Sequence, residues 1–374
     1  MERRVSHYKE RASRTPLEIL REFTDCPFMG CSRYYPVKDE SKNMVVRAYF
    51  AVDNVTLEEV VIKLIERGKP CSPNVVNELQ VHWLSYGHPY IAELKDVFVT
   101  DSYLAIVMRF VPGLALDAVI ERHGALSEQT ARSVFQQLLL AVKFLHDSGY
   151  MNRDIKVNNI IYDDMTGSIA LQDFMYSRHD QINSDPREAF RGLPYTAPEV
   201  LVGKEGEQAD ADGNRNVWEM GVCLFKMVTG KFPFERPGDG KPSYRTVPIV
   251  ISRISRMEYN IPESLSETLK DLLNRIFVSN TKERIDLEHI MAHPWVNEAP
   301  WPCSVDSIRE RMSQVRCPVT KEKLDEMVEA SQRRSHVAPL GETSNADVVD
   351  RVCDSVTDDV MLEESSRERI RDIL

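Results

Sequence analysis

Two aspartates in short polar stretches carry the clearest chemistry in this sequence. The first lies in Asn152-Arg153-Asp154-Ile155-Lys156-Val157-Asn158-Asn159, which sets a carboxylate, an ammonium and an amide close together. The second opens Asp173-Phe174-Met175, and Ala197-Pro198-Glu199 follows downstream. An ionised carboxylate can accept a hydrogen bond from a hydroxyl, or it can ligate a hard cation. An ammonium can steady developing negative charge. Upstream, Val60-Val61-Ile62-Lys63 ends an apolar run on a lysine, and Asn77-Glu78-Leu79 sets a glutamate among helix formers. Taken singly, each of these residues is most often a solvated surface charge. Their fixed order within apolar frames gives the set its meaning.

The order and spacing of these pieces resemble the catalytic loop, metal loop and activation-segment end of a protein kinase. Further matches point to the osmotic-stress kinases of plants and green algae, relatives of the sucrose-nonfermenting kinases. They include Lys63-Leu64-Ile65-Glu66-Arg67-Gly68, Leu104-Ala105-Ile106-Val107-Met108, Phe135-Gln136-Gln137-Leu138 and Arg275-Ile276-Phe277-Val278. Arg284-Ile285 belongs with them, and His293-Pro294-Trp295 closes the resemblance, which covers residues 35–296. It implies an α+β, bilobal protein kinase fold with a small β-rich N-lobe, a larger helical C-lobe and the nucleotide between them. It also implies ATP and Mg2+ as cofactors, and transfer of the γ-phosphate to serine or threonine hydroxyls of proteins in stress signalling.

Phosphoryl transfer needs positioned phosphates, a metal holder and a group that orients the acceptor hydroxyl. By the resemblance, Asp154 orients the hydroxyl and Lys156 steadies the transferring charge. Asn159 and Asp173 hold magnesium. Lys63 reaches the α and β phosphates, and Glu78 pairs with Lys63. Val61 lies against the adenine, Met108 is the gatekeeper behind it and residues 109–111 form the hinge. Val111 and Ile161 complete the nucleotide contacts. Glu199 pairs with Arg284 to fasten the activation segment.

The sequence also departs from that pattern. Where the phosphate-covering loop reads G-x-G-x-x-G, this chain has Ser41-Lys42-Asn43-Met44-Val45-Val46. Side chains there should lift the loop off the phosphates. Loss of two charge-assisted hydrogen bonds, at about 1.5–3 kcal/mol each, would weaken ATP binding roughly a hundred- to ten-thousandfold. Met175 replaces a glycine, Asn152 a histidine, Asn216 an aspartate that anchors the catalytic loop, and Gly192 a threonine that touches Asp154 and Lys156. An asparagine supplies no charge, so a looser loop and a slower enzyme are expected. Asn158 and Ala115 stand where basophilic kinases carry glutamates, so no strong preference for arginine in the substrate is expected. Glu188 stands at an activating phosphoserine position, and Ser177 and Ser184 are candidate phosphosites. The alternatives are a pseudokinase that acts as a binding or regulatory scaffold, and a nucleotide-binding switch without transfer.

The elements that must position these residues are legible. VVRAYF, EEVVIKLI, IAELKDVFVT and YLAIVMRF carry β-branched and aromatic residues between turn signals, so residues 35–111 read as strand-rich. A helix near residues 74–84 interrupts them. Ser127 is a good N-cap, and Val134, Leu138, Val142 and Leu145 repeat at helical spacing behind it. Another helix spans residues 217–228 and stops at Gly230. Residues 1–34 read as an N-terminal extension, 35–297 as the kinase domain with lobes at 35–111 and 112–297, and 298–374 as a regulatory tail. In that tail, residues 318–333 predict an amphipathic helix with Leu324, Met327 and Val328 on one face; the resemblance to the stress kinases implies that it packs on the helix that carries Glu78. The acidic end is weakly patterned.

Composition bounds the rest. A chain of 374 residues exceeds one ordinary core. With 42% apolar and 28% charged residues it reads as a soluble globular protein. A net charge of -11 argues against a nucleic-acid-binding body. The seven cysteines form no CxxC pair, which fits a reducing, cytoplasmic or nuclear setting. No apolar run reaches membrane-spanning length and the N-terminus lacks a signal-peptide core. The expected partner is a protein substrate or a regulatory protein, with no nucleic acid and no membrane, acting on a monomer.

Overall fold

Period-two alternation builds the first part of the chain. In the computed structural model, strands run over Tyr34–Asp39 (β1), Arg47–Asp53 (β2), Glu59–Glu66 (β3), Leu94–Val99 (β4) and Tyr103–Arg109 (β5). The structure describes residues 33–39, 47–67, 73–174, 178–179, 192–201, 214–236, 238–239 and 247–333. Residues 41–46, Met175, Ser177, Ser184, Glu188, the first 32 residues and the acidic end lie outside the described residues. These residues divide into two compact units. One holds 33–39, 47–67, 95–110 and 320–333, and the other holds 73–94 and 111–319.

The first unit is an antiparallel sheet in the order β1-β2-β3-β5-β4. Val60, Ile62 and Leu64 point to one face and pack with Tyr34, Tyr49, Ala51, Ala105 and Val107. Val61 and Lys63 therefore point to the opposite face. Tyr34 stacks on Phe98 at 5.5 Å. A helix from the tail, Lys321–Gln332, belongs to this unit. Thr320 caps it, accepting from the Lys323 amide at 3.2 Å. Arg67 donates to the Ala330 carbonyl at 2.9 Å, and Lys323 reaches Asp96 at 2.5 Å. Asp96 also accepts from the Tyr34 hydroxyl at 2.9 Å and from Arg33 at 3.2 Å. The tail helix is thus tied to the strand and turn residues of the sheet by charge-assisted bonds.

The second unit is mostly helical and encloses the larger core. Helices run over Pro73–Leu84, Leu116–His123, Glu128–Asp147, Asn214–Thr229, Val247–Ser255, Glu267–Ile276 and Val305–Gln314, with shorter ones between. Ser127 caps the Glu128–Asp147 helix by accepting from the Thr130 amide. The Asn214–Thr229 helix is buried on nearly every face, as a central helix must be. Gly221 on it lets the Glu267–Ile276 helix approach, since a Cβ there would lie 2.3 Å from Ile276 Cγ2. The chain beyond the kinase-like region first packs in this unit. Arg311 donates to the Gly87 carbonyl at 3.0 Å, and Trp83 donates to the Val319 carbonyl at 2.9 Å. Among the described residues no helix is long and apolar enough to cross a membrane.

Candidate active site

Strand register sets the residues of the first unit. Val61 lies opposite Met108, and Lys63 opposite Ile106, across the β3–β5 pair. Val61, Lys63 and Met108 therefore share one face of the sheet. Met108 is buried, while Val61 and Lys63 are half-buried.

The remaining residues belong to the second unit. Glu78 is fully buried on the Pro73–Leu84 helix. One turn on, His82 presents Nε2 at 3.9 Å from the Glu78 carboxylate, and its Nδ1 bonds to the Ala92 carbonyl at 2.9 Å. The His82 ring meets Phe174 edge-on at 4.9 Å. The helix that carries Glu78 is thereby packed on the residue next to Asp173. The strand Ile160–Asp163 pairs Ile161 with Ala115 on one side and with Ala170 on the other. Near Val111 the chain turns at Gly113, φ +130°, where a Cβ would lie 2.3 Å from the Tyr162 carbonyl oxygen. Only glycine allows that approach.

Residues 152–159 bring the polar cluster together. Lys156 Nζ donates to Asp154 Oδ2 at 2.6 Å. Asn159 Nδ2 donates to the same oxygen at 3.0 Å and to the Asp154 carbonyl at 2.9 Å. Both side-chain contacts fall on Oδ2, which leaves Oδ1 facing away from them. Burial pushes the Asp154 carboxyl above its ordinary value, Lys156 opposes that, and nearby Asp173 adds to it. The raised value makes Asp154 a stronger base than an exposed aspartate. The Asn159 carbonyl accepts from the Gln172 amide at 2.9 Å, which fixes Asp173 beside this loop. Asp173 has φ +66°, a conformation that aspartate tolerates better than most residues.

Several bonds hold the backbone of this loop. Asn152 Oδ1 accepts from the Asp154 amide at 3.0 Å. The central helix grips the loop backbone from below: Asn216 donates to the Asn152 carbonyl, and Arg215 donates to the Arg153 carbonyl at 2.9 Å. The Ile155 amide donates to Glu219 at 3.4 Å. Asparagine at 216 supplies no charge, and Arg215 and Glu219 add bonds to the same loop. Sequence reasoning missed Arg215, Glu219 and His82. The available signal for Glu219 was a charged residue at a core position of an otherwise apolar helix.

Three other expectations can be placed. Gly192 has no atom of the described residues within 4 Å of an added Cβ. Asn158 donates to Asp117 at 2.8 Å, and Asp117 also pairs with Lys226. The carboxylate nearest Asn158 is thus already neutralised. Glu199 and Arg284 form a bidentate pair at 2.7 and 2.8 Å.

Asn159 and Asp173 offer amide and carboxylate oxygens, the hard donors that suit magnesium. The Asn159 amide nitrogen is engaged by Asp154, which turns its oxygen outward as the donor. The residues present fit the ion.

Comparison with known proteins gives a match of residues 45–296 to the family described as Protein kinase domain. Serine/threonine-protein kinase SRK2G of Arabidopsis thaliana is 39% identical over 243 residues, covering 64% of this chain and 66% of that protein. Serine/threonine-protein kinase SAPK2 of Oryza sativa subsp. indica is 37% identical over 269 residues, covering 70% and 76%. Serine/threonine-protein kinase SRK2A of Physcomitrium patens is 37% identical over 266 residues, covering 70% and 74%.

Proposed function

The chain belongs to the protein kinase family and is a serine/threonine kinase, and from that premise we propose that it transfers the γ-phosphate of ATP through the cluster around Asp154. Asp154 orients the acceptor hydroxyl on Oδ1 and takes up its proton as the oxygen bonds to the γ-phosphorus, the bond from that phosphorus to the β,γ-bridging oxygen breaks and ADP leaves. Lys156 holds Oδ2 and lies where it can offset charge on the transferring group. Asn159 and Asp173 would hold magnesium, which would supply positive charge to offset that of the phosphates. Lys63 reaches the α and β phosphates, and Glu78 orients Lys63. Val61, Met108, Val111 and Ile161 contact the adenine ring.

The observation that carries this reading is the convergence of Lys156 and Asn159 on Asp154 Oδ2. A scaffold with no transfer step has no need of a half-buried carboxylate held by two donors. Residues 35–297 act as the kinase domain and 298–374 as a regulatory tail. The acceptor is a protein hydroxyl, with stress signalling as the setting that the sequence resemblance implies. A regulatory protein acts on the tail, and the chain works as a monomer in the cytoplasm or nucleus. The Asp117–Lys226 pair supports a substrate site without a strong arginine preference.

The test is phosphotransfer from Mg-ATP to a generic protein acceptor by wild type, Asp154→Asn and Lys63→Met. Both variants should fold and lose transfer. Activity that survives both in a clean preparation would overturn the assignment.

A further inference from the structure

We propose that Glu219 is a positioning residue for the catalytic loop, and that it acts as one device with Asn216. The proposal deepens the phosphotransfer reading and rests on it.

The two residues lie three apart on the Asn214–Thr229 helix, so they share a face. Both are buried. Asn216 has its hydrogen-bonding capacity in use. Its Nδ2 donates to the Asn152 carbonyl and to Glu219 Oε2 at 3.0 Å, and its Oδ1 bonds with His146 Nε2 at 2.9 Å. Glu219 accepts from Asn216 and from the Ile155 amide on Oε2, and from Arg215 Nε at 3.0 Å on Oε1. Arg215 in turn reaches the Arg153 carbonyl. The loop backbone is therefore held at 152, 153 and 155, on both sides of Asp154.

An aspartate at 216 cannot take this place. It has no hydrogen to donate to the Asn152 carbonyl, and it would set a second carboxylate against Glu219. The acceptor charge that the loop needs has moved one turn along the helix, and asparagine at 216 is the neutral partner that the move requires. Asn216 is thus matched to Glu219 rather than degraded. Removing a buried carboxylate's anchoring bond disturbs the groups left behind, so the loop, and with it Asp154, should lose its fixed position.

The experiment uses the full-length chain and compares wild type, Glu219→Gln, Asn216→Asp and the double exchange Asn216→Asp with Glu219→Ser. Steady-state phosphotransfer gives kcat and KM for ATP. Hydrogen exchange reads the Ile155 amide directly. Glu219→Gln should lower kcat roughly ten- to a hundredfold, with KM for ATP moving less than about twofold because Glu219 touches no nucleotide group. Asn216→Asp alone should also lower kcat, although it restores the residue that related kinases carry. The double exchange should recover part of the loss of Asn216→Asp, because it removes the second carboxylate. The Ile155 amide should exchange faster in Glu219→Gln. Wild-type kcat in Glu219→Gln, a gain in Asn216→Asp, or unchanged exchange at Ile155 would each overturn the proposal. A wild-type chain that transfers no phosphate would instead sink the phosphotransfer reading, and the exchange measurement would still decide the role of Glu219 in holding the loop.

Discussion

Arg284 and Glu199 meet through two parallel bonds, Nη1 to Oε1 at 2.7 Å and Nη2 to Oε2 at 2.8 Å, with the arginine side chain fully buried. The same guanidinium donates to the Asn214 and Val278 carbonyls and lies 5.1 Å over the Trp218 ring. The end of the activation segment is thereby tied to the central helix. Removing one partner of a buried pair leaves an uncompensated charge and typically costs about 3–5 kcal/mol. Arg284→Met should lose that much stability in denaturant unfolding. Arg284→Lys should recover only part of it, since an ammonium cannot make the fork. A loss below about 1 kcal/mol for Arg284→Met would show that the pair is solvated in solution.

Gly192 offers the opposite case, a position where a side chain can be added. Its φ of -132° is open to any residue, and no atom of the described residues lies within 4 Å of a new Cβ. In related kinases a threonine there touches the equivalents of Asp154 and Lys156. Gly192→Thr should fold with an unchanged melting temperature and transfer phosphate severalfold faster. A slower variant would mean that the cluster needs no second support.

Gly221→Ala should fail for a steric reason. The new methyl would lie 2.3 Å from Ile276 Cγ2 and 3.3 Å from the Phe277 ring. Both neighbours are buried, and overpacking of this kind costs about 1–3 kcal/mol. Combining it with Ile276→Ala should give a smaller loss than the sum of the two single losses, because the clash is removed. Strict additivity in thermal unfolding would count against the close helix packing.

Much of this framework was legible in the chain. The alternation of Val60, Ile62 and Leu64 with Val61 and Lys63 defines β3 and the face that each residue takes. Ser127 marks its helix start because a hydroxyl accepting the Thr130 amide is a local event. The unseen features depend on distant partners. Glu219 gains its role from Ile155, 64 residues earlier in sequence. His82 gains its role from Phe174. The Val305–Gln314 helix buries Ile308 alone among its residues, so no apolar stripe announces it. It is started by Ser304 and Ser307 in a reciprocal cap and held by Arg311 on Gly87. The tail helix falls at Lys321–Gln332, within the expected 318–333, and in its own unit it bonds with Arg67 and Asp96.

Glu219 also makes stability depend on pH. Burial pushes its carboxyl from 4.5 up to about 7; Arg215 and Asn216 oppose the rise, and Asp154 adds to it. Cys223, one helical turn away, is itself pushed up and stays neutral, and His146 bonds to Asn216 on its other side. The folded state therefore binds the proton more tightly than the unfolded state does. The contribution of this group is full below 4.5 and is lost as pH rises through about 7. Between about pH 5 and pH 8, wild type should lose melting temperature through this group, and Glu219→Gln should show a flatter profile. Parallel profiles would place the titration elsewhere.

The last prediction concerns the grip of the tail on the Pro73–Leu84 helix. Trp83 lies in the last turn of that helix, and its indole donates to the Val319 carbonyl at 2.9 Å. Val319 is buried, so a lost donor leaves that carbonyl without its partner. Three residues after the helix, Gly87 accepts from Arg311 and sits at φ +85° against Val315, where a Cβ would lie 2.4 Å from Cγ2. The helix that carries Glu78 and packs His82 on Phe174 is thus held at its C-terminal end by residues 311–319. Trp83→Phe keeps the ring and removes the donor, at a cost of about 1–3 kcal/mol. Hydrogen exchange of the last helical turn should accelerate, and phosphotransfer should fall with it, because Glu78 lies on the same rigid element. If the Trp83→Phe chain exchanges faster there yet transfers phosphate at the wild-type rate, the tail stabilises this helix without controlling Glu78.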